Sequence, residues 1–266
     1  MPIFTSSPIT VFDQESFHAV DEIATGCAFD IHNEMGRYLD ERLYQTELAA
    51  RLNDRTLAVV REMKITLALD GFTRDYYVDI LVNGGVIVET KCDEALAPAH
   101  RAQVLNYLYL CGLRHGTLLN FRPERVQHEF VSTGLTPESR RQVSWNLDGW
   151  KPLSAGCETL RDILQRALLD WGSGLDPVLY RDAVTHFLGG ESKVVREVEV
   201  VTTHGVIGTQ KVHNLADDIA FSVTASVHRP KVVLEHQRRF LEHTRLRAIQ
   251  WINLNRQAVT LHTIQK

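Results

Sequence analysis

The stretch spanning residues 76–91, YYVDILVNGGVIVETK, constrains this chain more than any other, because it reads as a single β-hairpin with an acidic residue on each strand. β-Branched and aromatic residues fill 76–82 and again 86–91. Between them Asn83-Gly84-Gly85 can take the positive φ angles a tight turn demands. Side chains alternate along a strand, so Ile87, Glu89 and Lys91 share one face and Val86, Val88 and Thr90 the other. Pairing of the two strands then brings Asp79 toward Glu89.

Two carboxylates a few ångströms apart repel each other and are costly to bury unless a divalent cation lies between them. Mg²⁺ or Mn²⁺ suits such a site, because these hard cations take oxygen ligands and Mg²⁺ keeps several waters, leaving room for a phosphate. Lys91 beside the cation could hold an attacking water or neutralise charge growing on the phosphate. The same D…ExK spacing also fits a solvated sheet face with an ion pair of little energetic weight.

The segments around the hairpin carry further pattern. MGRYLDERLYQTELAARL (35–52) reads as a helix with Glu41, Tyr44 and Gln45 in its first half and Leu43, Leu48 and Leu52 as the buried stripe. VDEIATGCAFDIHNEMG (20–36) shows apolar residues at helical spacing and one histidine, His32, which is either a polar residue packed near the helix end or a substrate contact. AHRAQVLNYLYLCGLRHGTLLNF (99–121) begins as a helix with Gln103, Tyr107 and Leu110 at i, i+4 and i+7, ended by Gly112 and followed by a strand. Together, about residues 20–132 resemble the PD-(D/E)xK nuclease superfamily and, within it, the GxxExxY family. The H-x-x-Q…NYL…G…L-x-NF segment is the most specific part of the match. Tyr38 stands where that family has the first glycine of its motif.

The resemblance implies a metal-dependent phosphodiesterase in which Asp79, Glu89, Lys91, Glu41 and Gln103 are catalytic and Asp79, Glu89 and Glu41 hold the metal, Mg²⁺ or Mn²⁺. Gln103 would orient the lysine, the water or the phosphate. Read without the resemblance, Glu41 equally fits an exposed first-turn glutamate favoured by the helix dipole.

At 266 residues, with 44% apolar and 23% charged content, the chain can bury one large core or two small ones. A net charge of −4 gives no global attraction to nucleic acid, so phosphate contacts must come from local basic groups. Cys27, Cys92, Cys111 and Cys157 show no paired metal-ligand spacing, and no signal peptide or long apolar run is present, which points to a reduced, cytoplasmic setting without membrane contact. Residues 1–16, with Pro2 and Pro8, read as an extended arm or edge segment. Residues 133–158, polar and turn-rich, read as an extension and linker.

The chain also looks duplicated. WGSGLDPVLYRDAVTHFL (171–188) lines up with 35–52 at an offset of about 136, NLADDIAF (214–221) aligns with YYVDILV so that Asp218 falls opposite Asp79, and residues 236–255 align with the Gln103 helix and its strand. On this alignment Pro177 replaces Glu41, Arg239 replaces Gln103, and no acid-x-lysine recurs.

The expected architecture is therefore α/β (α+β): two tandem restriction-endonuclease-like αβββαβ units, each a mixed sheet flanked by helices, forming a pseudo-dimer. The nuclease-like unit would cover 1–132 and a catalytically dead one 159–266, kept for substrate binding or structure. His228, Arg229, Lys231, His236, Arg238, Arg239, His243, Arg245 and Arg247 crowd one later helix and its flanks, either as a phosphate-binding face or as a solvated face balanced by Glu235 and Glu242. The candidate nucleic-acid contacts are Arg101, Arg122, Arg238, Arg239, Arg245 and Arg247. The expected partner is nucleic acid, DNA in the first instance. A homo-oligomer is compatible, although the duplication can replace dimerisation. The other functions that fit are a nuclease-derived binding module that does not cut and an interaction scaffold.

Overall fold

The computed structural model describes residues 3–227 and 229–266; Met1, Pro2 of the expected arm and His228 of the expected basic cluster lie outside the described residues. The chain divides into two compact units, one formed by residues up to 137 apart from Leu69–Phe72, the other by Leu69–Phe72 with Glu138–Lys266.

The first unit runs β1 (Ile3–Thr5), α1 (Gln14–Met35), α2 (Glu41–Asp54), β2 (Val59–Leu69), β3 (Phe72–Val82), β4 (Val86–Lys91), α3 (Pro98–Cys111), β5 (His115–Asn120) and β6 (Gln127–Ser132). Its strands form one mixed sheet in the order β1-β2-β3-β4-β5-β6, with β4 and β5 parallel and the β1–β2, β3–β4 and β5–β6 pairs antiparallel. The short β1 occupies the edge, where the extended arm was expected. The hairpin register pairs Ile80 with Val88 and Val82 with Val86, and Asn83 and Gly84 take φ of 48° and 69° in the turn.

One face of the sheet carries α1 and α2. Asp13 caps α1 by accepting from the Ser16 N–H at 2.8 Å, and Phe17, Val20, Ala24, Ala28 and Ile31 form its buried stripe. These pack with Leu48 and Leu52 of α2 and with Ile80, Val82, Val86 and Val88 of the hairpin. Leu43, expected in the stripe of α2, is 50% exposed, and Tyr44 is buried in its place. The Tyr44 ring stacks on Phe121 at 4.4 Å, and its hydroxyl donates to the Gly36 carbonyl at 2.7 Å while accepting from Leu39 N–H at 3.2 Å. That brace fixes the turn at which α1 ends. Against the other face lies α3, and Gly116 of β5 lets it close: a Cβ there would stand 3.0 Å from Val104 and 3.3 Å from Leu108.

The second unit runs α4 (Pro137–Arg141), β7 (Ser144–Gly149), α5 (Ala155–Trp171), α6 (Pro177–Phe187), α7 (Glu191–Val194), β8 (Val195–Thr202), β9 (Gly205–Ala216), β10 (Ile219–Thr224), α8 (Pro230–Glu242), β11 (Ala248–Asn255) and β12 (Ala258–Gln265). Its mixed sheet has the order β7-β12-β11-β10-β9-β8, and β10 and β11 are parallel just as β4 and β5 are. The architecture is α+β, two six-stranded mixed sheets flanked by helices, in keeping with two tandem restriction-endonuclease-like units. Residues 133–158 are not a bare linker: β7 pairs in parallel with β12, and α5 begins within this stretch. A short edge strand flanked by proline and glycine carries too weak a periodic signal to stand out in sequence.

Two local devices recur in both units. Tyr180 donates its hydroxyl to the Gly172 carbonyl, eight residues back, as Tyr44 does to Gly36. Asn120, opposite Lys91 at the end of β5, accepts from the Asp93 N–H at 3.1 Å and donates to the Asp93 carbonyl at 2.8 Å. Asn253, opposite Thr224, clamps Ser226 in the same way, at 2.7 and 3.0 Å.

Candidate active site

The site forms where β3 and β4 leave the hydrophobic layer. Continuing the Ile80–Val88 register sets Asp79 beside Glu89. Thr90 turns to the α2 side and gives both its backbone N–H and its hydroxyl to Asp79 Oδ2, each at 2.9 Å. Gln45 of α2, only 5% exposed, donates to the Thr90 hydroxyl at 3.0 Å and reaches Glu41 Oε1 at 3.5 Å. The chain Gln45–Thr90–Asp79 therefore orients the first carboxylate from behind. Neither Gln45 nor Thr90 is among the sequence-predicted site residues, although Gln45 stands one turn after Glu41 and Thr90 lies between the acid and the lysine.

Glu89 is 1% exposed, and the Lys91 ammonium lies 2.6 Å from its Oε1 and 2.9 Å from the Thr90 carbonyl. Glu89 Oε2 is buried with no hydrogen-bond partner among the described residues. Burial first, and then the Asp79 charge, push the Glu89 pKa up to about 8. Burial is the largest single influence on Lys91 and works against its charge, but the Glu89 carboxylate together with Asp79 and Glu41 outweighs it and raises the Lys91 pKa. Burial, reinforced by Asp79 and Asp93, raises the pKa of Glu41, with Lys91 and the Cys92 backbone acting the other way. Three carboxylates and one ammonium thus share one electrostatic neighbourhood.

Among the described residues, no group of three His, Cys, Asp or Glu side chains is set to hold a metal ion as it stands. The reason is visible in the partners: Asp79 is turned onto Thr90, and Lys91 takes the cationic place at Glu89 Oε1 and the Thr90 carbonyl. The donor chemistry nevertheless fits a hard divalent ion, since the orphaned Glu89 Oε2 is a buried carboxylate oxygen that a cation would satisfy.

Gln103 lies on α3 and donates to the Tyr107 hydroxyl at 3.0 Å. Burial first and the Glu89 charge second raise the pKa of Tyr107. Gln103 is therefore tied to the site through Tyr107, which is not among the sequence-predicted site residues. A cleft of about 710 Å³ opens beside the acids, lined by Glu41, Arg42, Gln45, Arg61, Glu62 and Asp79. Arg61 and Glu62 reach it from an irregularity in β2 where Glu62 has a φ of 50°, and Arg61 Nε is buried without a hydrogen-bond partner among the described residues.

The other sequence-derived contacts are placed as follows. Arg122 donates to the carbonyls of Cys92 and Arg37, at 3.2 and 2.9 Å, and so ties down the loop after β5; Arg101 pairs with Glu129. His32 donates to the Pro123 carbonyl at 3.0 Å, which is the packed-residue reading. In the second unit Arg238 and Arg239 both pair with Glu235, Arg245 with Glu199 and Arg247 with Asp218, all on exposed surface.

The two asparagine clamps set the register between the units, 133 residues apart. Through it Ser222 and Thr224 stand where Glu89 and Lys91 stand in the first unit. Continuing the Phe221–His213 pairing puts Val212 in the place of Asp79. Asp218 is not opposite Asp79, as the sequence alignment set it, but in the turn between β9 and β10, bonded to Arg247. Leu108 and Leu241, each 0% exposed, anchor the matching helices, so His236 rather than Arg239 falls opposite Gln103.

No curated protein matches the chain. A solved structure described as "Crystal structure of SSO0001" aligns at 17% identity over 45% of this chain and 69% of that one, with a TM-score of 0.25. Residues 18–132, the stretch that holds Glu41, Asp79, Glu89, Lys91 and Gln103, match the family model of the PD-(D/E)XK nuclease superfamily.

Proposed function

We propose that this protein is a metal-dependent nuclease that hydrolyses phosphodiester bonds of DNA at a single site in its first unit. The observation that carries the reading is the convergence of Asp79, Glu89 and Lys91 beside an open cleft, with Glu89 Oε2 buried and unpartnered. Asp79 and Glu89, with Glu41 and the Thr90 carbonyl, are the groups that would hold Mg²⁺ or Mn²⁺. Such an ion, when bound, neutralises phosphate charge and acidifies a coordinated water.

The chain's own residues do the rest. Lys91, released from Glu89, directs its ammonium at the attacking water or at charge growing on the phosphate. Thr90 and Gln45 keep Asp79 from rotating. Gln103 fixes the Tyr107 hydroxyl beside Glu89, and Arg61 and Arg42 receive phosphates along the cleft.

The second unit, with Val212, Ser222 and Thr224 in the corresponding places, is read as a degenerate copy that does not cut. The duplication is supported by the paired Tyr–Gly braces and Asn clamps. A pseudo-dimer with one live site makes one cut per encounter. Supercoiled plasmid incubated with the protein and Mg²⁺ should pass through the nicked circle before it becomes linear. Linear product appearing at the first hit excludes the single site, and an intact plasmid at every metal and salt concentration excludes cleavage of duplex DNA. We place the activity in the cytoplasm, where the free thiols of Cys27, Cys92, Cys111 and Cys157 stay reduced. The described residues contain no helix long and apolar enough to cross a membrane.

A further inference from the structure

We propose that the cleft between α8 and the β9–β10 hairpin is a binding site for a nucleotide, its base against the apolar wall and its phosphate on the basic rim. The proposal rests on the nuclease reading only for where the nucleotide comes from. α8 buries Leu241 alone, whereas α3 buries Val104, Asn106, Tyr107, Leu108 and Leu110, so the second helix stands off its sheet. The space it leaves is about 590 Å³, within the range of small-molecule sites.

The chemistry of this space is the reverse of the first unit's. Carboxylates Asp79 and Glu89 are replaced by Val212 and Ser222, and the 136-residue offset of the Tyr–Gly braces puts Arg181 where Gln45 stands. Both replacements and Arg181 line the cleft, and no carboxylate does. Lys211 on the rim has no ion-pair partner among the described residues. Arg181 bonds Asp182 through Nε and Nη2, leaving Nη1 for another acceptor.

Val212, Val233 and Phe240, backed by Ala220 and Ile249, supply a wall on which a flat ring can lie. Ser222 donates to Gln237 Oε1 at 2.9 Å, which leaves the Gln237 amide nitrogen without a partner among the described residues and able to meet the edge of a base. An apolar wall, one free amide and a cationic rim exclude a metal ion or a basic peptide and match a flat apolar body carrying an anion. A nucleotide is that body, supplied free or as the end of a strand.

The test is calorimetric titration of the full chain with adenosine and cytidine 5′-monophosphates, inorganic phosphate, and a short single strand with and without a 5′-phosphate. Lys211 and His236 are exposed, so Lys211→Glu and His236→Glu can be made without disturbing the core. Mononucleotide binding that weakens at least tenfold in Lys211→Glu and is unchanged in Lys91→Ala supports the site. Competition by the 5′-phosphorylated strand assigns a strand end as the source, and its absence assigns the free nucleotide. No binding, binding unaffected by Lys211→Glu, or inorganic phosphate held as tightly as the nucleotide overturns the proposal. Nucleotide binding in a protein that cleaves nothing sinks the nuclease reading and leaves this one standing.

Discussion

Thr90 gives its backbone N–H and its hydroxyl to one oxygen of Asp79, each at 2.9 Å, while the buried Gln45 donates to that same hydroxyl. The first carboxylate of the site is thereby aimed by a residue whose side chain points away from Glu89 and Lys91. Thr90→Val keeps the β-branched shape and removes the hydroxyl, leaving Gln45 without its buried acceptor. It should cost about 1–3 kcal/mol of stability. Thr90→Ser should recover most of it, as measured by denaturant midpoints.

The pH dependence follows from Glu89. Its folded pKa is raised to about 8, so the folded state keeps a proton that the unfolded chain releases from about pH 4.5 upward. Its contribution to stability is therefore greatest at low pH and declines as pH rises toward 8, in buffer without divalent ions. Glu89→Gln should flatten that decline. A cation must displace the same proton, so Mg²⁺ affinity should climb across pH 6 to 8. Mg²⁺ affinity that is flat over this window would contradict the assignment of Glu89 as a ligand.

Lys91→Ala should lower kcat by roughly 100- to 1000-fold, the usual cost of losing one group aimed at transition-state charge. Circular dichroism should show the fold intact. Lys91→Arg should not restore activity, because a planar fork cannot replace a compact ammonium between Glu89 and the Thr90 carbonyl.

Arg61→Ala tests the cleft. Nothing among the described residues accepts from its Nε, so the substitution breaks no hydrogen bond from that atom and should raise KM more than it lowers kcat. The difference from the wild type should shrink as salt rises. An unchanged KM would place the substrate elsewhere.

The repeated braces predict paired losses of stability. Tyr44→Phe and Tyr180→Phe each remove a hydroxyl that satisfies the carbonyl of a helix-capping glycine, Gly36 or Gly172, and each should cost about 1–3 kcal/mol. Neither should change the Mg²⁺ dependence of cleavage, which separates bracing from chemistry.

The amino-acid sequence by itself determined what depends on short range. Alternation and the Asn83-Gly84-Gly85 turn fixed the hairpin and brought Asp79 to Glu89, helical spacing fixed the stripe of α1, and LD…LY marked the two braced helices. Tertiary structure alone decided rotations and registers. Tyr44 rather than Leu43 turned inward because its hydroxyl could reach the Gly36 carbonyl and its ring Phe121. Val212 rather than Asp218 came to lie opposite Asp79 because the β9–β10 turn falls at Asp217–Asp218, and the clamp of Asn253 on Ser226 holds that register. The relay from Gln45 through Thr90 joins residues 45 positions apart, and the arginines of α8 found carboxylates at their own surface. Local periodicity cannot carry such facts, because a one-residue slip or a partial turn of a helix costs nothing locally and is settled only when distant segments pack.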